Sequence, residues 1–305
     1  MTMKKLLTLA FVCSQLVLLP AQTRIDLWPV NYLPNSRHLA LEDSVANERA
    51  YRVARPRLYH FAPAEKKDSS AAVIIIPGGG YARLAYEVSG NMLAQWFAGQ
   101  GIHGFVLWHR LPDSPDLIRR DIAPLQDVQR AVKLIRNHAA EWGIDPHKVG
   151  VMGCSAGGHL ASTAGTHDED VSRITDAMDK IPFRPDFMIL VSPVISMDAA
   201  ITHRGSRDNL LGKNAPEELL RAYSNDMRVD GQTPPAILIH ADNDPAVSPL
   251  NSIRFYTAMK EHRRPASLHI FPQGGHNISL EAQPGTTQAW SELTLGWLRE
   301  MGFLK

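Results

Sequence analysis

Val149-Gly150-Val151-Met152-Gly153-Cys154-Ser155-Ala156-Gly157-Gly158-His159-Leu160-Ala161 is the stretch that decides the fold. A short apolar run, Val149–Met152, meets Gly153 at once, and residues compatible with a helix, Gly157–Thr163, begin two positions after Ser155. The pattern is G-x-S-x-G. Taken alone it is weak, since average Gly and Ser usage gives roughly 0.1 chance occurrences in a chain of this size. Set between a strand and a helix it describes a sharp turn that strains the serine backbone and lifts its hydroxyl above a sheet. Glycines two before and two after the serine let neighbouring backbone pass without a Cβ clash.

Working outward, the chain alternates β-rich runs with helical periodicity, which predicts an α/β fold with a mostly parallel central sheet and helices on both faces. Strands are expected at Ala72–Ile76, Gly104–Trp108, Val149–Met152, Phe187–Val191, Ala236–His240 and Ser267–Phe271. Most are continuous apolar runs, as expected of strands buried on both faces. Segments around Ile25–Trp28 and Pro56–Phe61 read as antiparallel edge strands. Leu125, Val128, Val132, Ile135 and Ala139 form one apolar stripe, with Pro124 in the first turn and Gly143 at the end. Asn251–Lys260 and Thr287–Met301 also read as helices. The long polar stretch at about 192–235 predicts an insertion over the active site, with a short helix at Glu217–Tyr223.

The 305 residues include 32 Lys+Arg and 31 Asp+Glu, so the formal net charge is +1 and no basic footprint for nucleic acid exists. Hydrophobic residues at 44% and charged residues at 21% exclude disordered and fibrous classes. Lys4-Lys5, the apolar run from Leu6 to Leu19 and Pro20-Ala21 read as a signal peptide over residues 1–21, leaving 22–305 as one catalytic domain. The run is shorter than the ~20 residues of a spanning helix, so no membrane association is expected after cleavage. Loss of Cys13 with the signal leaves Cys154 without a partner, and the scattered histidines show no zinc-ligand spacing.

A serine hydroxyl needs a base. His276, in Gln273-Gly274-Gly275-His276-Asn277 after the last expected strand, is the candidate. His240 lies within a strand and reads as a packed core residue. His159, four residues after Ser155, belongs under the turn. The base needs an acid to orient it. Asp244, a few residues past Ala236–His240, is the choice; Asp242 is the rival, or else braces the turn with its own side chain. Backbone N–H groups for a developing oxyanion are expected from Gly79 and Gly80 in Pro77-Gly78-Gly79-Gly80-Tyr81, together with Ala156. A phosphate-binding loop is the competing reading, but Arg83 stands where its third glycine would be.

Taken together these motifs resemble the α/β-hydrolase superfamily, whose chain order is also Ser155…Asp244…His276. More narrowly the chain is similar to secreted bacterial carbohydrate esterases of the acetylxylan-esterase-like group over about residues 70–300. The carriers are Pro77–Tyr81, Asp127-Val-Gln-Arg-Ala-Val to Trp142-Gly-Ile-Asp-Pro146, and Gly153–Ala161. Ser206-Arg207 through Leu210-Leu211-Gly212, Thr233-Pro234-Pro235, Asp244-Pro245 with Asn251-Ser252, and Gly274–His276 complete the set. Members of the group often carry Phe at the position of Cys154 and Tyr at that of His109.

The resemblance implies a serine esterase, exported to the periplasm or beyond the cell, that removes acetyl groups from plant polysaccharide or its oligosaccharides. No cofactor or metal is implied. Tyr81, His109, Arg110, His203 and Arg207 are candidates for lining the cleft, although His203 and Arg207 could equally pin the insertion. A feruloyl or other carboxylic ester is the alternative substrate. A peptidase is disfavoured, because this chain has no room for the propeller domain such enzymes commonly carry. A non-catalytic sugar-binding module is a further reading, which the complete set of candidate groups argues against.

Overall fold

The computed structural model describes residues 22–65 and 68–305; the expected signal peptide and Cys13 lie outside the described residues. In chain order the elements begin with β1 (Thr23–Asp26), β2 (Ser44–Ala46), β3 (Arg49–Arg52), β4 (Arg57–Phe61), β5 (Ser70–Ile76), α1 (Met92–Gly99) and β6 (His103–Trp108). They continue with α2 (Ala123–Asn137), α3 (Ala139–Trp142), β7 (Ile144–Cys154), α4 (Ala156–Thr166), β8 (Met188–Val191), α5 (Arg204–Leu211) and α6 (Glu217–Ala222). The last four are β9 (Ala236–Ala241), α7 (Leu250–Glu261), β10 (Ala266–Phe271) and α8 (Trp290–Glu300).

Eight strands form one sheet in the order β1-β4-β6-β5-β7-β8-β9-β10, and β2-β3 form a separate hairpin. From β6 to β10 every pairing is parallel, whereas β1 and β4 are antiparallel. This is the expected α/β sheet with two antiparallel strands at one edge. Residues 73–76 and 236–239 are almost wholly buried, as strands covered by helices on both faces must be. The exception is β10, half-buried along most of its length because it closes the sheet's other edge.

Three expectations shift. β7 starts five residues before Val149, since Ile144 pairs with Ser70 across a register break that admits polar Asp145–Lys148. Helix α2 buries its polar face as well as its apolar stripe: Asp127, Gln129, Arg130 and Lys133 are all inaccessible. The segment after α4 covers that face, with Lys133 Nζ 2.6 Å from Asp170 and Arg130 2.6 Å from Asp176. Gly143, in the left-handed region at φ 73°, ends α3, one short helix later than the stripe implies.

The loops leaving the carboxyl ends of β5, β7, β9 and β10 converge, because these strands run parallel and lie side by side with β8 among them. That edge of a parallel sheet is where side chains from separate loops meet.

Candidate active site

Ser155 sits between β7 and α4 with φ 56° and ψ −122°, a backbone region a non-glycine residue adopts only under constraint. Three hydrogen bonds supply the constraint. Its N–H donates to the Val191 carbonyl at 3.1 Å, and its carbonyl accepts from Val194 at 3.0 Å and His159 at 3.2 Å. The flanking glycines are sterically required: a Cβ on Gly153 would stand 2.1 Å from the Gly157 carbonyl oxygen, and one on Gly157 2.1 Å from that of Ile76.

The two other expected groups arrive as the sequence implied. His276 Nε2 lies 2.9 Å from Ser155 Oγ, and His276 Nδ1 lies 2.7 Å from Asp244 Oδ2. With Nδ1–H donating to the carboxylate, Nε2 is left to accept the serine proton. The glycines before His276 bend the loop at φ 139° and 59°, and Gly275 N–H donates to Asn243 Oδ1 at 2.9 Å, tying the histidine loop to the acid loop. Asp242 is exposed, and the carboxylate that His276 meets is that of Asp244. Bracing of the turn falls to Asp244 itself, whose Oδ1 accepts from the N–H groups of Ala246 and Val247 at 2.8 and 2.9 Å.

Burial alone would raise the Asp244 pKa. Hydrogen bonds from His240, His276, Val247 and Ala246 outweigh it and hold the carboxyl well below the usual carboxylate range. His240 is thus more than the packed core residue its strand position implies: its Nε2 is 3.3 Å from Asp244 Oδ2 and 3.0 Å from the Val247 carbonyl. Two acceptors at Nε2 place the proton there, so Nδ1 accepts from Ser252 Oγ at 2.8 Å. Four residues separate His240 from Asp244, a spacing that hints at such a contact only once the strand's end is known.

Gly78 and Gly80 are drawn into the site differently. Gly78 N–H is taken by Ser89 Oγ at 3.1 Å. The N–H groups of Gly79, Gly80 and Ala156 make no hydrogen bond to another described residue. Gly79 at φ 141° and Gly80 at φ 65° use backbone conformations that favour glycine, and Asn209 of α5 fixes the loop by donating to the Gly80 carbonyl at 2.8 Å. Ala156 opens α4, whose first N–H groups have no intrahelical partner.

A cavity of about 540 Å³ opens over Ser155, lined by Gly78–Gly80, His276 and His203 among others. His203 meets both expectations made for it: it lines the cavity and caps α5 by accepting from Ser206 N–H. Burial, then the nearby His276, lowers its pKa. Four other lining expectations are corrected. Tyr81 is buried under the loop, its hydroxyl 2.8 Å from His159 Nδ1, because its φ of 60° turns the side chain inward. His109 is buried, with Nδ1–H donating to the Arg110 carbonyl at 2.8 Å, and burial lowers its pKa. Arg110 is buried in a bidentate pair with Asp127 and donates to the Pro34 carbonyl. Arg207 lies outside the cavity lining and pairs with Asp208 at 3.3 Å.

His159 lies under the turn as expected, bound between Tyr81 and the Tyr223 carbonyl, and burial lowers its pKa to about 4. Cys154 is free, and burial pushes its thiol up to about 12, so it carries no thiolate beside Ser155. Arg49, Arg83, Asn277, Ser279 and Glu281 also line the cavity. No sequence signal singled them out, since Arg49 sits in a hairpin far from every motif.

A serine on a strained strand–helix turn, an imidazole from the loop after β10 and a carboxylate from the loop after β9 define an α/β-hydrolase. The chain belongs to the BD-FAE family, whose sequence profile matches residues 58–259. It is 38% identical over 216 residues to the acetylxylan esterase of Xylanibacter ruminicola, a match covering 70% of this chain and 42% of that protein. It is 34% identical over 225 residues to the endo-1,4-beta-xylanase B of Butyrivibrio fibrisolvens, covering 74% of this chain and 34% of that one. The chain therefore spans less than half the length of these two curated relatives. The crystal structure of an acetyl ester-xyloside bifunctional hydrolase from Caldicellulosiruptor lactoaceticus superposes with a TM-score of 0.78 at 34% identity, covering 95% of this chain and all of that one.

Proposed function

We propose that this protein is a serine carboxylic ester hydrolase that removes acetyl groups from plant polysaccharide, xylan above all, or from its oligosaccharides. The observation that carries the reading is the continuous line Asp244–His276–Ser155, with links of 2.7 and 2.9 Å, ending at the floor of an open cavity. The acetyl and xylan parts are supported by the names of the relatives above.

The chemistry follows from the geometry. His276 Nε2 takes the Ser155 proton as Oγ attacks the ester carbonyl carbon. The carbonyl oxygen becomes an anion facing the N–H groups of Gly79, Gly80 and Ala156, which have no partner among the described residues to give up. Asp244, kept ionised by its four donors, stabilises the imidazolium. The bond to the sugar oxygen breaks, and that oxygen takes the proton from His276. Water then attacks the acyl-enzyme with His276 again as base, releasing the acid and restoring Ser155.

We also propose export to the periplasm or the cell exterior. The positive start, apolar run and Pro20-Ala21 of the first residues support it, as does a substrate too large to enter a cell. Among the described residues no helix is long and apolar enough to cross a membrane.

Acetate release from acetylated xylo-oligosaccharide, set against hydrolysis of methyl ferulate at equal concentration, tests the function. Faster acetate release is the expected outcome. Preference for methyl ferulate would move the protein to the bulky-ester class, and inertness toward both would remove the esterase reading.

A further inference from the structure

The hairpin β2-β3 is locked to the loop that carries Gly79 and Gly80. Ala50 and Leu84 exchange backbone hydrogen bonds of 3.0 and 2.8 Å in an antiparallel bridge. Both of these side chains are buried. Alternation along paired extended segments sends their neighbours to the opposite face, and there Arg49 and Arg83 both reach the lining of the cavity above Ser155. Across such a bridge the two are diagonal neighbours, about 7–8 Å apart. The Arg83 stem passes over the glycine loop: a Cβ on Gly79 would lie 3.0 Å from its Cγ.

Neither guanidinium has a carboxylate partner among the described residues. Arg83 makes no side-chain hydrogen bond to any of them, and Arg49 makes one, to the Asn47 carbonyl at 2.7 Å. Arg110, by contrast, is consumed by Asp127. Two like charges lining one cavity without a carboxylate partner repel each other, and an anion placed between them relieves that repulsion. Glu281 also lines the cavity, but from the segment after His276, so the walls differ in sign and an anion is directed to the hairpin wall.

We propose that Arg49 and Arg83 form a subsite for a carboxylate carried on a sugar next to the ester, so that the preferred substrate is an acetylated oligosaccharide bearing a uronic acid. This deepens the esterase reading and rests on it for the substrate. A planar, bidentate donor is the side chain suited to a carboxylate. Tyr51, next after Ala50 on β3 and 41% exposed, adds an aromatic residue to the same hairpin, where sugar rings can stack.

The test is calorimetric titration of the Ser155→Ala protein with two unacetylated xylo-oligosaccharides of equal length, one carrying a uronic acid and one neutral. The acidic sugar should bind about tenfold tighter, and R49Q/R83Q in the same background should make the two affinities equal. Salt at 0.5 M, about five times the ionic strength at which the Debye length is still ~10 Å, should erode the preference as well. Equal affinities before the arginines are changed, or a preference that survives R49Q/R83Q, would overturn the subsite. R83Q alone, at an exposed position, should remove part of the preference if the double variant does not fold. Binding here is read without catalysis, so failure of the wild-type protein to release acetate would count against the esterase reading and leave the subsite result standing.

Discussion

Two imidazoles donate to one carboxylate oxygen, Oδ2 of Asp244. His276 faces the cavity, 24% exposed, with Nε2 turned to Ser155 at 2.9 Å. His240 is wholly buried on β9, with Nε2 turned to Asp244 and Nδ1 engaged by Ser252 of α7. The chemical group is the same, and so is the partner. What differs is whether the second ring nitrogen is free to meet a substrate or is already spent on the protein's interior. A histidine with both nitrogens committed can only hold its neighbour in place; one with a nitrogen at the cavity can move a proton.

That contrast sets the size of the expected effects. Changing His276 or Ser155 to Ala removes the proton-transfer unit and should lower kcat on 4-nitrophenyl acetate by roughly 10⁴-fold with the fold intact. Near-native turnover in either variant would end the distinction between the two imidazoles.

Asp127 shows what a wholly interior carboxylate does. It accepts from Trp28 Nε1 at 2.9 Å and from Arg110 through both backbone and guanidinium. Replacing it with Ala strands a buried guanidinium and should cost about 3–5 kcal/mol of stability, read by urea unfolding. A loss below about 1 kcal/mol would show that Arg110 finds water or another partner.

His240→Leu should lower kcat on 4-nitrophenyl acetate about tenfold and leave KM unchanged, since one donor to the triad acid is lost and the cavity is untouched. His240→Gln, which can still donate, should recover most of that loss. Parallel losses in stability and activity with no recovery in Gln would assign His240 to packing alone.

A separate effect falls on the pH dependence of stability. Burial is the leading cause that lowers His60, His159 and His167 to about 4. Their unfolded value is near 6.5, so between pH ~6.5 and ~4 the unfolded chain binds more protons, and stability falls as pH falls. Asp244 acts in the same direction at lower pH: its folded value is depressed, so its contribution is present above about pH 4 and is lost as pH drops below that. The urea midpoint should decline from pH 7 to pH 5, and a flat profile would show that these imidazoles gain compensating partners when charged.

The elbow was legible because steric necessity writes itself into the sequence: Gly153 and Gly157 have no alternative, and the order of Ser155, Asp244 and His276 follows from parallel strands that each end at the same edge. Side-chain direction within the loops was not legible. Tyr81, His109 and Arg110 follow strands at that edge, yet each turns inward, toward His159, the Arg110 carbonyl and Asp127 respectively. Asp127 is seventeen residues beyond Arg110, on a helix whose apolar stripe gave no sign that its polar face would also be covered. His203 and Arg207 sit one helical turn apart, and only the first reaches the cavity. Arg49 comes from a hairpin that nothing local ties to the glycine loop; the tie is a backbone bridge, which any side chains could make.

Reaction of the wild-type protein with a fluorophosphonate, followed by mapping of the modified peptide, tests the central claim most directly. A single adduct on Ser155, lost in His276→Ala, is the result these distances require. A folded protein that stays unlabelled, or that carries its adduct on another residue, would contradict the account.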